Sequence, residues 1–504
     1  MSARRAGVAV AAVLLAVVAV PFFGATTFHG DDHLFLAYAR HAPQPFAALV
    51  SDAHGGEYYR PLPMAIWWLL GRAGPHTAPF AALALALHAG GAALTARLLG
   101  ALGRPPAVAW GAAALMFLAP QNLDAASWFS ASTDLFAAVF TLAALIALVR
   151  GRAVAAAAAA LAAYLSKESA CVLPLLALLV LRGLPWRRRM AAVAPQIVLL
   201  AIVLAARRAV LHGWGGAGDA RAGLAAKLFQ IASGLGHVFT GEGLLAAPLA
   251  LGAGAAIVAL TVFAAIRRGH AAGDGGWWTP LAFAAIAAAP LLAAGWPVGA
   301  RYFYLPSVGL AWAIAEALAG AGAAARAVIA GVLLLIGGLQ GAERRRDVVS
   351  YDRRVAAARR VVAAGLPAGQ RVFSIASGVK DLDLAVKEDR ALPPGAGEAL
   401  VLTDVPASFV LVPPALAAAT APLLARPPLP PSGAYRFGDA RIVGLARRDD
   451  NPSLEEVLQQ FPDMRFFRLR PVASGQIIAR DVTDETRRVL GGEGLDGERD
   501  GEQD

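Results

Sequence analysis

Long stretches of this chain carry no charge, and that property leaves few folds open to it. From Leu135 to Val149 the sequence reads LFAAVFTLAALIALV, and a comparable run, Ala6–Phe23, follows Arg4 and Arg5. Windows of roughly 17–22 such residues recur, enough to cross about 30 Å of hydrocarbon at about 1.5 Å per residue. A soluble fold would expose such surfaces to water, whereas a helix facing lipid is apolar all round. At 58% hydrophobic residues over 504 positions, the whole composition points the same way. The sequence predicts an all-α polytopic membrane protein.

Candidate spans fall near 6–23, 79–101, 107–120, 133–149, 153–166, 170–182, 190–211, 245–266, 277–295, 302–320 and 327–341, about eleven in all. With the N-terminus in the cytoplasm, Arg104, Arg150 with Arg152, RGLPWRRR (Arg182–Arg189) and RRGH (Arg267–His270) all fall in cytoplasmic loops. That is the distribution the positive-inside rule requires, so the net charge of +10 reads as an orientation signal and not as a nucleic-acid surface. ERRRD (Glu343–Asp347) falls outside, against the rule, and Ala225–Thr240 is expected as an amphipathic helix on the outer surface. The single cysteine, Cys171, excludes an internal disulfide framework and any multi-cysteine metal site. From 342 to 480 the runs RVFSIAS, SFVLVPP and ARIVGLA alternate with Pro/Ala-rich connections, which predicts a small α+β domain outside the membrane. Residues 481–504, ending in a Gly-rich acidic tract, are expected to be disordered. The expected organisation is thus 1–341, 342–480 and 481–504.

Charged side chains beside apolar spans are costly, so their positions carry information. Under this topology they gather on the outer side. TTFHGDDHLFLAYARHA holds Asp31 and Asp32 between His29 and His33, and SDAHGGEYYRPLP holds Arg60. NLDAASWFSASTD supplies Trp128 and Asp134, and LSKES supplies Lys167 and Glu168. AARRAVLHGW ends a span with Arg207 and Arg208, and ARYFYLPS begins one with Arg301 and Tyr302. Singly, each has a plain structural role. Asp31 and Asp134 suit helix starts, Lys167 and Glu168 an interfacial pair, the arginines lipid headgroups, and Trp128 and Tyr302 packing. His29 and His33 flank the acids closely enough to suggest a metal, but two histidines with short-range Asp spacing are a weak signal. Together these clusters converge on one face, which a passive anchor does not need.

In this order, the acidic pair, YRPLP (Tyr59–Pro63), WFSASTD (Trp128–Asp134), LSKES and RYFYLPSVGL (Arg301–Leu310) resemble the GT-C class of lipid-sugar-dependent membrane glycosyltransferases. The likeness is to the protein O-mannosyltransferase-related branch, including the membrane half of the transmembrane-and-TPR enzymes, and it covers about residues 5–341; the TPR array is missing. The resemblance implies a GT-C-like helical fold and transfer of a sugar, mannose-like or other, from a polyprenyl-phosphate carrier to a hydroxyl acceptor on protein, lipid or polysaccharide. It implies Asp31 as general base, with Asp32 orienting it or binding acceptor. Arg301 and Lys167 match the family's positions for the carrier phosphate, with Arg60 and Arg208 as further candidates and Glu168 holding Lys167 extended. Asp134 would bind sugar hydroxyls or align a cation, and Trp128 and Tyr302 would stack on sugar or isoprenoid. Direct displacement by one base would invert the anomeric centre. No cofactor is required and no carboxylate cluster compels a divalent metal, although one could serve. The Ala/Arg-rich composition fits a bacterial inner membrane with the active face in the periplasm. A transporter or flippase of lipid-linked or anionic solutes is the alternative; it would be expected to keep ionisable groups near the bilayer midplane, on broken helices.

Overall fold

The computed structural model describes residues 42–51, 58–72, 77–213, 223–240, 278–293 and 299–319, together with Phe28, Asp32, Phe35, isolated positions within 252–346 and seven strands between 372 and 481. The expected spans at 6–23, 245–266 and 327–341 lie wholly or largely outside the described residues, as does the tail beyond 481. The chain falls into two compact units. One takes Met1–Phe28, Gln44–Ser51 and Tyr59–Val348; the other takes His29–Pro43, Asp52–Tyr58 and Val349–Asp504.

The first unit is helical. Among the described residues its helices are α1 (Pro61–Gly71), α2 (Thr77–Ala101), α3 (Pro106–Leu118), α4 (Pro120–Ser127), α5 (Ser132–Val149), α6 (Ala153–Tyr164), α7 (Leu173–Val180), α8 (Trp186–Leu211), α9 (Leu224–Thr240), α10 (Thr279–Ala288) and α11 (Tyr304–Leu318). Proline stands in the first turn of α1, α3, α4, α7 and α10, where its missing N–H would have had no intrahelical partner. Among the described residues, three helical segments are long and apolar enough to cross a membrane: Thr77–Ala101, Phe129–Val149 and Trp186–Leu211. On α8 the large apolar side chains Ile197, Val198 and Ile202 are exposed, as they would be in a helix solvated by lipid and not by water. This is the surface of an integral membrane protein.

Small residues set the packing. Ala112, Ala138, Ala156, Ala160 and Ala163 are fully buried, letting helices approach closely where lipid gives no hydrophobic drive for association. The main contacts pair α5 with α6, α2 with α3 and α5, α3 with α11, and α10 with α11. At the last crossing a Cβ on Gly309 would lie 2.5 Å from both the Ala284 nitrogen and the Pro280 oxygen, so only glycine fits.

Two short helices fall where the sequence predicts loops. α1 lies inside the expected first outer loop and α4 inside the second. In α4 the cause is a break in the preceding helix: Ala119 has ψ 119°, and Pro120 has no N–H to continue the α3 ladder. The expected surface helix at 225–240 is α9, packed on α4, α11 and the Ala300–Phe303 turn. Its amphipathicity is inverted relative to a soluble helix. Leu224, Leu228 and Phe229 are exposed, whereas Lys227, Ser233 and His237 are buried. Gly234 lets it sit against Phe303, where a Cβ would fall 2.2 Å from ring carbon Cε2.

In the second unit the three β-like runs contain β1 (Val372–Ala376), β3 (Ser408–Val412) and β5 (Ala440–Leu445). β1 pairs in parallel with β2 (Ala399–Thr403) and with β6 (Arg465–Pro471), and β6 pairs antiparallel with β7 (Ile477–Asp481). A separate antiparallel sheet has the order β3-β5-β4, with β4 at Tyr435–Phe437.

Gly309→Leu is expected to force α10 and α11 apart at a cost of about 1–3 kcal/mol. A lowered thermal unfolding midpoint in detergent is the readout; an unchanged midpoint would show that the crossing yields.

Candidate functional site

Asp134 opens α5 and Arg150 closes it, so the turn that carries Arg150 and Arg152 lies at the end of this helix away from Asp134. At the Asp134 end, several predicted side chains meet. Lys167, in the turn after α6, donates to Asp134 Oδ2 at 2.5 Å, with both side chains 5% exposed. Burial draws the Lys167 ammonium down to about 8, against the opposing pull of Asp134. Its Nζ also lies 4.5 Å from the centre of the Tyr302 ring.

Glu168, one residue on, is gripped by two arginines. Arg60 Nη2 donates to Oε1 at 2.7 Å and Nε to Oε2 at 3.2 Å, the paired fork that guanidinium and carboxylate make best. Arg207 Nη1 stands 3.8 Å from Oε2. The backbone supports the arrangement: Leu62 N–H donates to Leu165 O, which ties the start of α1 to the turn carrying Lys167. Tyr164 donates to Gln196 O and so holds α6 to α8.

Arg301 completes the group from the other side of the chain. Its guanidinium lies 3.9 Å over the Trp128 ring, and its Nη2 donates to the Tyr302 hydroxyl at 3.1 Å. An aromatic face attracts a cation without neutralising it, so Trp128 and Tyr302 both help to orient the Arg301 guanidinium. Among the described residues the cluster holds four cations, Arg60, Lys167, Arg207 and Arg301, and two carboxylates, Asp134 and Glu168.

Arg60, Lys167, Glu168, Arg301, Asp134, Trp128 and Tyr302 are therefore brought together from α1, the turn after α6, the turn before α11, the start of α5 and the end of α4. Arg208 is not brought to Glu168. It is exposed, and Arg207, about 100° round the helix, turns inward. Asp31 lies outside the described residues. Asp32 is fully buried and belongs to the other unit. Among the described residues no group of three or more His, Cys, Asp and Glu forms a metal cage.

A second polar group escaped the sequence reading. His88, midway along α2, is fully buried. Its Nε2 donates to Phe117 O at 3.0 Å, because a carbonyl only accepts, and its Nδ1 meets the Tyr304 hydroxyl at 2.8 Å. Asn122 Nδ2 donates to Met116 O and to Ser307 Oγ, each at 2.9 Å, and Ser307 donates to Tyr304 O. In an unbroken helix Met116 O would receive the N–H of residue 120, which as proline has none. A side-chain amide stands in for it. The readable signal was an ionisable His88 within an apolar span.

No family model matches the sequence, and no curated protein matches it. Among solved structures, similar chains include two of ArnT from Cupriavidus metallidurans. The crystal structure bound to undecaprenyl phosphate is 15% identical, with a TM-score of 0.37, and the match covers 90% of this chain and 100% of that one. The apo crystal structure is 16% identical, with a TM-score of 0.35, over 88% and 98%. A likeness at this level assigns no role to any residue.

Removing one partner of a buried ion pair strands the other charge at a cost of about 3–5 kcal/mol, whereas replacing both with apolar groups is often neutral. Asp134→Leu alone is expected to lower the unfolding midpoint sharply, and Asp134→Leu with Lys167→Met to recover most of the loss. A double variant no more stable than the single would show that each residue is held by other partners.

Proposed function

We propose that this protein is an integral-membrane glycosyltransferase of the GT-C kind, moving a sugar from a polyprenyl-phosphate carrier to a hydroxyl acceptor with Asp31 as general base. One observation carries the reading: Arg60, Lys167, Arg207 and Arg301 converge beside Trp128 and Tyr302 at one end of apolar helices. A lipid-linked phosphate presents its charge at the membrane edge. Planar guanidinium groups can hold two of its oxygens at once.

In the proposed step Asp31 accepts the proton of the acceptor hydroxyl as that oxygen bonds to the anomeric carbon. The bond from that carbon to the phosphate oxygen breaks, and its electron pair leaves with the polyprenyl phosphate. Fixed cations in a site of low dielectric favour that developing charge more in the transition state than in the ground state. Attack by one face and departure from the other invert the centre. Asp32 orients Asp31 or meets the acceptor. Asp134 keeps Lys167 in place, and Glu168 does the same for Arg60 and Arg207. The chemistry described needs no metal or cofactor. We place the site in the periplasm of a bacterial inner membrane, opposite the arginine-rich turns.

Transport of a lipid-linked or anionic solute is the second reading. The specific observation favouring it is His88, buried midway along a membrane-length helix and beside a break in the next one.

Asp31→Asn should leave folding and membrane insertion intact and lower sugar transfer by about 10²–10⁴-fold. The assay is release of radiolabel from a panel of polyprenyl-phosphate sugars in reconstituted membranes with an envelope extract as acceptor. Transfer that survives the change removes Asp31 from the reaction, and a larger loss in Asp32→Asn exchanges the two roles. Movement of intact donor across the bilayer, without release of label, would favour the transporter. Arg301→Ala should chiefly weaken binding of the lipid phosphate; unchanged affinity and turnover would remove it from the site.

A further inference from the structure

At the α3–α4 break, three buried side-chain atoms have no hydrogen-bond partner: Gln121 Oε1, Gln121 Nε2 and Asn122 Oδ1. Gln121 is 2% exposed and Asn122 1%. The two hydrogens of the Asn122 amide already serve Met116 O and Ser307 Oγ, which leaves only its oxygen. Both residues sit on the first turn of α4, where the Asn122 N–H donates to Ala119 O at 3.0 Å. Leaving polar atoms unpaired inside an apolar helix bundle costs stability, and a methionine or leucine at 121 would avoid that cost. Neither polar atom of the Gln121 amide has a hydrogen-bond partner among the described residues.

We propose that Gln121, with the Asn122 oxygen beside it, is a hydroxyl-binding subsite for the sugar of the lipid-linked donor; this rests on the glycosyltransferase reading above. The chemistry of the atoms selects the ligand. A carboxamide offers one acceptor and a donor group, and Asn122 adds a second acceptor. Phosphate oxygens only accept, so the two carbonyl oxygens would repel them. Sugar hydroxyls both donate and accept. The position suits the same molecule. α4 carries Gln121 at one end and Trp128 beyond the other, about 10 Å apart along the axis, and packs against the Ala300–Phe303 turn that holds Arg301. A phosphate held by Arg301 above Trp128 would leave its sugar to be read along α4. The break in the helix leaves these amides outside the hydrogen-bond ladder of α3.

The test compares full-length wild type with Gln121→Met in lipid nanodiscs. Thermal unfolding is measured together with binding of bare undecaprenyl phosphate and of its glucosyl, mannosyl and galactosyl forms. Wild type is expected to bind at least one glycosylated lipid more tightly than the bare one. The variant is expected to unfold at the same or a higher temperature, to bind the bare lipid as wild type does, and to bind the preferred glycosylated lipid about tenfold more weakly. A lower unfolding temperature with unchanged binding would make Gln121 a core residue satisfied by water and overturn the proposal. Equal weakening for bare and glycosylated lipid would overturn the sugar assignment. If Gln121→Met does not fold, wild type is tested with single-deoxy forms of the preferred sugar lipid, at least one of which must bind about tenfold more weakly; equal binding by all would overturn the subsite. Wild type that binds none of the four lipids would sink the glycosyltransferase reading along with it. A sugar preference indifferent to Gln121 and to every hydroxyl would sink the subsite alone.

Discussion

Pro120 cannot give Met116 a hydrogen bond, and much of the polar architecture follows from that missing N–H. In lipid a backbone carbonyl without a partner has no water to turn to. The chain answers with the Asn122 amide on Met116 O and the His88 ring on Phe117 O, and Tyr304 and Ser307 join the two. One broken helix is thereby fastened to α2 and to α11. Because α4 is free of the axis of α3, it can carry Trp128 to the place where Arg301 lies over its ring. The polar seam and the place of Trp128 beneath Arg301 are thus both tied to one proline.

The cluster itself shows how a membrane protein keeps several positive charges close together. Each carboxylate is shared or buried: Asp134 takes Lys167, and Glu168 spans Arg60 and Arg207. Aromatic faces hold the remaining positive density without cancelling it. The pairs fix geometry more than they add stability, because desolvation offsets much of their attraction. What they supply is a set of cations already in position before any ligand arrives.

The long spans were legible because charges bracket them. Asp134 and Arg150 mark the ends of α5 almost to the residue, and the window at 79–101 is α2. α1 and α4 were not. At 11 and 8 residues they are too short to register against a span-length window, and QNLD near the start of α4 reads as a loop. The motifs pointed to Arg60, Lys167, Glu168 and Arg301, but no sequence argument separates Arg207 from Arg208. Only the phase of α8 against Glu168 decides which arginine turns inward. Gln121 left a fainter mark, a polar residue directly after a proline in an apolar stretch. Its unpaired amide is a property of the packing alone.

Gly234 brings α9 against Phe303 with no side chain between them. Packed layers normally absorb small displacements by rotamer changes, and here that cushion is missing. The spacing between α9 and the short turn that carries Tyr302 and Arg301 is therefore set by the Phe303 ring itself. Leu224, Leu228 and Phe229 are the large apolar side chains this helix leaves exposed. Position 234 thus sets how near α9 can come to the turn that places the guanidinium over Trp128, and any side chain there would have to displace the Phe303 ring.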